Sequence, residues 1–292
     1  METCFYSLKE QETLVKVVPD RVLNIATEDI HKFFSDKTYG RVEKEIIRAL
    51  FTFHYATKNT LKKYLDKRLN EFKRNNYDSI INQLQEDGVV ERLKYDTINL
   101  YTLSATGREY ILSQPKEVGK RKIEEPRKDI PGILECASLA QWHISLLCGD
   151  DKITGSHFME IMQYGNYSVS TSSHVELWKN KFHYTIHSFS IPKTKDNLED
   201  FLLSLAAHRH ALSGSKPKKG YIKDIRLFVL VAENHEQIEH MAKILKARDE
   251  LKGVEYYFVL DAYTNETKGL DLLHLYSKDR KEGHLKTLEF IG

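Results

Sequence analysis

The sequence predicts a protein of mixed α and β structure with two domains, an N-terminal winged helix-turn-helix and a C-terminal α/β domain with a small mixed sheet. Hydrophobic residues recur at helical spacing in three consecutive stretches between Arg41 and Gly88. An extended hairpin pattern follows them. Further along the chain, two almost wholly apolar stretches of strand length are separated by a helical stretch, which is typical of an α/β sheet.

Each of the three helical stretches has one apolar face. In the first, its residues are Val42, Ile46, Leu50 and Phe53. In the second, they are Leu61, Tyr64, Leu65 and Leu69. The third helix would begin after Asn75 or Asn76, because either side chain can cap a helix, and Gly88 would end it. This helix would bury Ile80, Ile81 and Leu84.

The residues after Gly88 predict a β hairpin. Val90 and Leu93 belong to its first strand, and residues 100–103 belong to its second strand. The polar segment 95–99 between them would form the wing. The pattern Tyr-Thr-Leu-Ser-x-x-Gly, which ends at Gly107, resembles the strand-to-helix exit of many winged-helix regulators. The order of helices and hairpin therefore predicts a winged-helix DNA-binding domain over residues 40–113.

A local excess of positive charge predicts double-stranded DNA as the partner of this domain. The whole chain has a net charge of only +2, but residues 58–74 contain seven basic and two acidic residues. The basic residues are expected to contact phosphates beside a major groove. They are Lys58, Lys62, Lys63, Lys67, Arg68, Lys73 and Arg74. Lysines on an exposed helical face are the ordinary alternative, and some winged helices bind proteins instead of DNA.

Base contacts are predicted from the third helix and the wing. The side chains expected on the outer face of the helix are Asn75, Asn76, Tyr77, Ser79, Asn82 and Gln83. Amide side chains pair with adenine, which favours a site containing A·T pairs. Arg92, Lys94 and Tyr95 would place the wing on the DNA backbone or in a minor groove.

Length and composition limit the class of protein. A chain of 292 residues suits two domains, and 41% hydrophobic with 29% charged residues is typical of a globular protein. No apolar run approaches the roughly 20 residues of a membrane helix, and the N-terminus lacks a signal-peptide pattern. The expectation is a cytoplasmic protein without a membrane partner. Three cysteines without C-x-x-C spacing argue against a disulfide framework or a structural zinc site.

The remaining segments complete the predicted organisation. Residues 1–39 are expected to pack on the first domain as an extension containing a strand or short helices. The charged, proline-containing segment 114–132 is predicted to be a linker. The α/β domain, residues 133–292, would begin with a helix at Ile133 and have two strands joined near Asn180. A helix capped by Asp196 or Asn197 would follow these strands. Two further strands, at 225–232 and 254–260, would flank another helix, and at least one pair of strands would be parallel.

A winged helix, a charged linker and a small α/β domain, in this order, resemble the replication-relaxation family of bacterial plasmids and mobile elements. The resemblance implies a DNA-binding accessory protein for plasmid replication or DNA relaxation, with no defined catalytic residues. The second half of that family looks like a restriction-endonuclease core, in which an Asp and a Glu-x-Lys on adjacent strands would hold a metal. This sequence departs from that pattern, because residues 184–190 contain no carboxylate and the nearest acidic residues are Glu176 and Asp196. The core would therefore be degenerate.

No residue pattern indicates catalysis or a cofactor. The chain has no Gly-x-Ser-x-Gly elbow and no Walker phosphate loop. The pairs His183 with His187 and His208 with His210 are poorly spaced for one metal ion. We therefore expect a DNA-binding accessory or regulatory protein that is not an enzyme, whose α/β half serves as a platform for oligomers or for partners such as a replication initiator or relaxase. Two alternatives remain, a metal-dependent nuclease using Asp196 or Glu176 and a ligand-responsive winged-helix transcription regulator.

Overall fold

The computed structural model describes residues 15–17, 39–69, 76–114, 125, 127–149, 152–164, 167–179, 182–213, 224–252, 254–261, 264, 274–276 and 285–287. The structure is of mixed α and β type. The chain forms two compact units, and the division falls between residues 121 and 122. Within the described residues, no helix combines the length and the apolar composition needed to cross a membrane.

The first unit contains helices and short strands in the order β1, α1, β2, α2, α3, β3, β4, α4. The helices are α1 (Arg41–Phe53), α2 (Lys58–Arg68), α3 (Tyr77–Glu86) and α4 (Ala105–Leu112). The strands are β1 (Val15–Val17), β2 (Ala56–Thr57), β3 (Val90–Tyr95) and β4 (Ile98–Leu103). They form one antiparallel sheet in the order β1-β3-β4-β2. Of the strand or short helices expected in the N-terminal extension, the described residues contain a strand, Val15–Val17, which pairs with β3.

The predicted helical faces form the core of this unit. Ile46, Leu50, Leu61, Leu65 and Leu84 are all fully buried. The predicted burial of Ile80 is wrong, because this side chain lies at the margin of the core and is only half-buried. The third helix is capped by Asn76, whose Oδ1 accepts the backbone N–H of Ser79 at 3.4 Å. Gly88 follows the helix with φ of 72°, a conformation that favours glycine.

The hairpin is tighter than the sequence predicted. Tyr95, the last residue of β3, pairs with Ile98, the first residue of β4, so only Asp96 and Thr97 form the turn. The predicted five-residue wing is therefore wrong at both ends. The physical reason is burial, because the side chains of Tyr95 and Ile98 are 1% and 8% exposed and belong to the core.

The Ser-x-x-Gly part of the motif joins the hairpin to α4. Ser104 caps α4 by accepting the backbone N–H of Gly107 at 2.9 Å, and its hydroxyl lies 2.6 Å from the Gly88 carbonyl oxygen, to which it donates. A Cβ on Gly107 would lie 2.2 Å from the backbone oxygen of Val89. Glycine is thus required here because the helix packs directly against the backbone at the start of β3.

The second unit is built on a five-stranded sheet. Its helices are α5 (Ile130–Leu147), α6 (Leu198–Ser213) and α7 (His235–Ala247). Its sheet strands are β5 (Lys152–Tyr164), β6 (Tyr167–Lys179), β7 (Phe182–Ser190), β8 (Asp224–Ala232) and β9 (Tyr256–Leu260), in this spatial order. A short 3₁₀ turn, Asp249–Leu251, precedes β9. Two further strands, β10 (His274–Tyr276) and β11 (Leu285–Thr287), form a separate antiparallel pair.

The predicted strands of this unit are confirmed, both the two joined near Asn180 and the two apolar ones. β6 and β7 are antiparallel, with Lys179 opposite Phe182. β7, β8 and β9 are parallel to one another, which confirms the expected parallel pairing. β5 was not predicted. Helix α5 begins three residues earlier than predicted, because Asp129 caps it by accepting the Gly132 N–H at 3.1 Å and Pro131 fits its first turn.

The helices cover both faces of this sheet. Trp142 of α5 donates from its indole N–H to the Ser188 hydroxyl at 2.8 Å. The adjacent Phe189 points to the opposite face, because side chains alternate along a strand. There it belongs to a core formed with residues of α6 and α7, including Leu205 and Met241. The sheet is therefore buried between α5 on one side and α6 and α7 on the other.

Replacing Gly107 by Ala should destabilise the first unit by about 1 to 3 kcal/mol, because the new methyl group clashes with a backbone oxygen that has little freedom to move. Thermal unfolding followed by far-UV circular dichroism measures the effect. Both tryptophans, Trp142 and Trp178, lie in the second unit, so the unfolding temperature seen by their fluorescence should stay unchanged. Gly40→Ala is the matched control, because its Cβ would meet only the flexible end of Glu43. Equal stability of both variants would contradict the close-packing explanation.

Candidate nucleic-acid interface

Helix α2 carries the lysines expected to contact phosphate. Thr57 caps the helix by accepting the Thr60 N–H at 3.2 Å. Leu61 and Leu65 are fully buried, so the basic side chains of the same helix are left on its outer side. Lys67 and Arg68 are exposed, while Lys58, Lys62 and Lys63 are partly exposed. Lys73, Arg74 and Asn75 lie outside the described residues.

Two of these lysines are paired with a carboxylate of α3. Lys58 Nζ lies 2.8 Å from Asp78 Oδ2, and Lys62 Nζ lies 2.9 Å from Asp78 Oδ1. The hydrogen bonds from Lys58 and then Lys62 hold the pKa of the Asp78 carboxyl below its usual value. The sequence did not indicate this pairing, because the partners are 16 to 20 residues apart on different helices.

Arg68 also has an acidic neighbour. Its Nε lies 3.8 Å from Glu45 Oε2, and Glu45 pairs with Arg48 as well. The Arg68 side chain is 66% exposed, so this contact is largely screened by water. The positive charge of α2 is thus partly compensated by Asp78 and Glu45, which belong to α3 and α1.

Helix α3 presents most of the predicted polar side chains to solvent. Asn76, Ser79, Asn82 and Gln83 are exposed, while Ile81 and Leu84 face the core. Amide side chains can form two hydrogen bonds to an adenine edge in a major groove. The arrangement is therefore a short helix with a hydrogen-bonding outer face.

Two aromatic residues predicted to contact DNA are placed elsewhere. Tyr77 is 6% exposed, and its hydroxyl donates to Asp66 Oδ1 at 3.1 Å. Burial, together with the carboxylate of Asp66, raises the pKa of Tyr77 to about 12. Tyr95 is 1% exposed and lies in the core. Their predicted base or backbone contacts are inconsistent with these positions, because neither ring can reach a ligand without unpacking.

The two cationic residues of the hairpin differ in position. Lys94 is exposed on β3. Arg92 is only half-exposed and lies between two strands, since β3 pairs there with Val17 of β1 and Tyr101 of β4. The strand β1 therefore covers what would otherwise be the outer edge of the hairpin. Of the two residues, Lys94 is better placed to contact a DNA backbone.

The histidines and carboxylates singled out in the second unit do not converge on one point. His187 Nδ1 lies 3.3 Å from His174 Nδ1, whereas His183 Nε2 lies 3.3 Å from Thr154 Oγ1. His208 is buried in α6, and His210 is exposed. Within the part of the chain that the structure describes, no group of three histidine, cysteine or acidic side chains is placed to hold a metal ion.

The two carboxylates of the nuclease alternative are also separate. Glu176 is buried on β6, where its Oε1 lies 3.2 Å from His174 Nε2. Asp196 is exposed in the turn before α6. A buried lysine, Lys193, instead lies 3.2 Å from Glu233 and 4.0 Å from Asp261, at the carboxyl ends of β7, β8 and β9. Sequence reasoning missed this cluster, because its members come from three separate strand ends.

A cavity of about 340 Å³ opens between the start of α5, the end of β7 and the start of α6. Its apolar lining includes Leu139, Phe189 and Phe201. Its polar lining includes Asn197 and Glu135, which is paired with Arg127 at 3.0 Å. Burial raises the pKa of the Glu135 carboxyl. The volume lies in the range of small-molecule sites, about 300 to 1,000 Å³.

Comparison with known proteins gave no match to this chain among family models, curated proteins or solved structures. The geometry of the chain itself is therefore the basis for its proposed function.

Acid should destabilise the second unit through His143. This side chain is fully buried between α5 and the sheet, where its Nδ1 lies 2.8 Å from Ser173 Oγ and its Nε2 lies 2.9 Å from Ser156 Oγ. Burial, with smaller contributions from His174 and His157, lowers its pKa from 6.5 to about 3. Between these two values the unfolded chain binds a proton that the folded chain does not. As the pH falls from 6.5 toward 3, the free energy of unfolding should therefore fall by about 1.4 kcal/mol per pH unit because of this group.

Urea unfolding followed by tryptophan fluorescence at pH 7, 6 and 5 tests this prediction. His143→Gln should be less stable at pH 7 and should show a pH dependence shallower by about 1.4 kcal/mol per unit. His240→Gln, which removes an exposed histidine of α7, is the matched control and should leave the slope unchanged. If the free energy of unfolding depends on pH equally in all three proteins, His143 is protonated in the folded state.

Proposed function

We propose that residues 41–112 form a winged helix that binds duplex DNA, with α3 as its recognition helix. The order α1, β2, α2, α3, β3, β4 supports this proposal, as does the pairing of β2 with β4 beside the hairpin. The observation that carries it is the outer face of α3. Its exposed Asn76, Ser79, Asn82 and Gln83 lie next to the basic side of α2, which matches base contacts flanked by phosphate contacts.

The proposed role is that of a DNA-binding accessory or regulatory protein without catalysis of its own. The resemblance to the replication-relaxation family, the endonuclease-like origin of the second unit, the cytoplasmic location and a replication initiator, relaxase or second copy as partner all stay predictions. A ligand-responsive regulator is the second candidate, which the cavity beside Phe201 favours. A small molecule that stabilises the second unit and also changes DNA affinity would distinguish the regulator from the accessory protein.

DNA affinity should depend steeply on salt and on the basic residues at the end of α2. Replacing Lys63, Lys67 and Arg68 together by Ala should weaken binding to all sequences alike, because phosphate contacts release counterions. The slope of log K against log salt should flatten by up to about 3 units if all three contact phosphate. Fluorescence anisotropy with a random duplex at several salt concentrations measures this slope.

The matched control removes the same charge from the second unit. Lys195, Lys243 and Lys246 are exposed there, and their joint replacement by Ala should leave the slope unchanged. A loss of affinity in the control but not in the α2 variant would place the DNA interface on the second unit.

Sequence preference should come from Asn82 and Gln83. Replacing either by Ala should lower the discrimination between a selected site and random duplex by about 1 to 3 kcal/mol, because a two-pronged contact to a base is lost. Non-specific affinity should stay nearly the same. The measurement is competition binding with both duplexes.

Asn59→Ala is the control, since it removes an exposed amide from α2 instead of α3. Its discrimination should equal that of the parent protein. Equal loss on both duplexes for the α3 variants would show that Asn82 and Gln83 only position the helix and do not read bases.

A further inference from the structure

One acidic side chain lies within the proposed DNA-binding surface. Asp78 is in the first turn of α3, and each of its carboxylate oxygens has one lysine of α2 within 3 Å, Lys58 at 2.8 Å and Lys62 at 2.9 Å. The two lysines are four residues apart and therefore lie on one side of α2. A single carboxylate thus compensates two of the cations that the sequence assigns to phosphate contacts.

We propose that Asp78 acts as a counter-charge that suppresses sequence-independent DNA binding. This inference rests on the proposed function. In the free protein, Lys58 and Lys62 are paired with Asp78 of α3. A phosphate that takes either lysine must displace Asp78, and it also approaches the negative charge of the carboxylate.

The ion pairs of Asp78 with Lys58 and Lys62 are suited to be exchanged for contacts with DNA, and they are not suited to hold the fold together. The side chains of Lys58, Lys62 and Asp78 are 39%, 37% and 42% exposed, and ion pairs at this exposure are weak because water screens them. A duplex that fits the outer face of α3 can therefore take over the lysines, whereas a duplex that does not fit meets a surface on which Lys58 and Lys62 are compensated. The result is a larger ratio of specific to non-specific affinity.

Asp78→Asn is the direct test, because it removes the charge and keeps the size of the side chain. Anisotropy titrations with random duplex should show a several-fold higher affinity at low salt. The slope of log K against log salt should steepen by up to about 2 units, since about 0.9 units accompany each phosphate contact. The affinity for the preferred site should rise less, so the ratio between the two duplexes should fall.

Glu86→Gln is the matched control. It removes an exposed carboxylate from the other end of the same helix. It should change the slope by much less than Asp78→Asn does. Circular dichroism checks that each variant folds, and Asp78→Ser replaces Asp78→Asn if the amide disturbs the start of the helix.

A double-mutant cycle with Lys62→Gln separates the counter-charge from a general effect of charge. In the parent protein, Lys62→Gln should change the salt slope little, because Lys62 is held by Asp78. In the Asp78→Asn background, the same substitution should flatten the slope by about 1 unit. Additive effects of the two substitutions would overturn the proposal.

The remaining outcomes distinguish this inference from the proposed function. If Asp78→Asn behaves like Glu86→Gln while the Lys63, Lys67 and Arg68 variant still loses affinity, only the counter-charge is wrong. If Asp78→Asn weakens binding to the preferred site alone, Asp78 accepts a hydrogen bond from a base such as cytosine, and the counter-charge is again wrong. If neither the parent protein nor Asp78→Asn binds duplex DNA, both proposals fail.

Discussion

The junction between α2 and the first turn of α3 is the constraint on which the proposed interface depends. Among the described residues, the Tyr77 hydroxyl contacts Asp66 and the Asp78 carboxylate lies between Lys58 and Lys62. The Tyr77 ring is buried and its contact with Asp66 is partly buried, whereas the Asp78 contact is open to solvent. The inner contact fixes where α3 lies relative to α2, and the outer one controls how much positive charge surrounds it. Position and electrostatics are therefore set by adjacent residues.

Much of the first unit could be predicted because its helices bury apolar residues at regular spacing. Ile46, Leu50, Leu61 and Leu84 are as buried as their spacing predicted. The spacing of residues does not predict whether a tyrosine is buried, because its ring favours the core while its hydroxyl favours water or a hydrogen-bond partner. The burial of Tyr77 depends on Asp66 and could not be read from the pattern of α3 alone.

In the second unit, the prediction succeeded for the two apolar strands and for the two strands joined near Asn180, and it failed for β5. β8 and β9 are almost wholly apolar, so their burial was evident, although β9 is at the edge of the sheet. β5 and β6 carry polar residues at buried positions, among them Glu160, Ser173 and His174. Side chains of other elements satisfy two of them, as His143 of α5 does for Ser173 and His187 of β7 does for His174, whereas Glu160 is paired with His157 of its own strand. The pattern of hydrophobic residues contains no information about such partners, so β5 was not predicted.

The same limit applies to the charge of the candidate interface. A count of basic residues in the sequence predicts that each of them contacts phosphate, but it does not include the acidic side chains that lie close to them in the fold. Asp78 compensates Lys58 and Lys62, and Glu45 lies 3.8 Å from Arg68. The electrostatic attraction to a generic duplex is then weaker than the sequence suggests. Hydrogen bonds from Asn82 and Gln83 do not depend on that charge, so they would contribute a larger share of the total affinity for a site that they match. A partly neutralised surface beside an amide-rich helix therefore favours selectivity over affinity, since selectivity depends on the ratio of the two affinities.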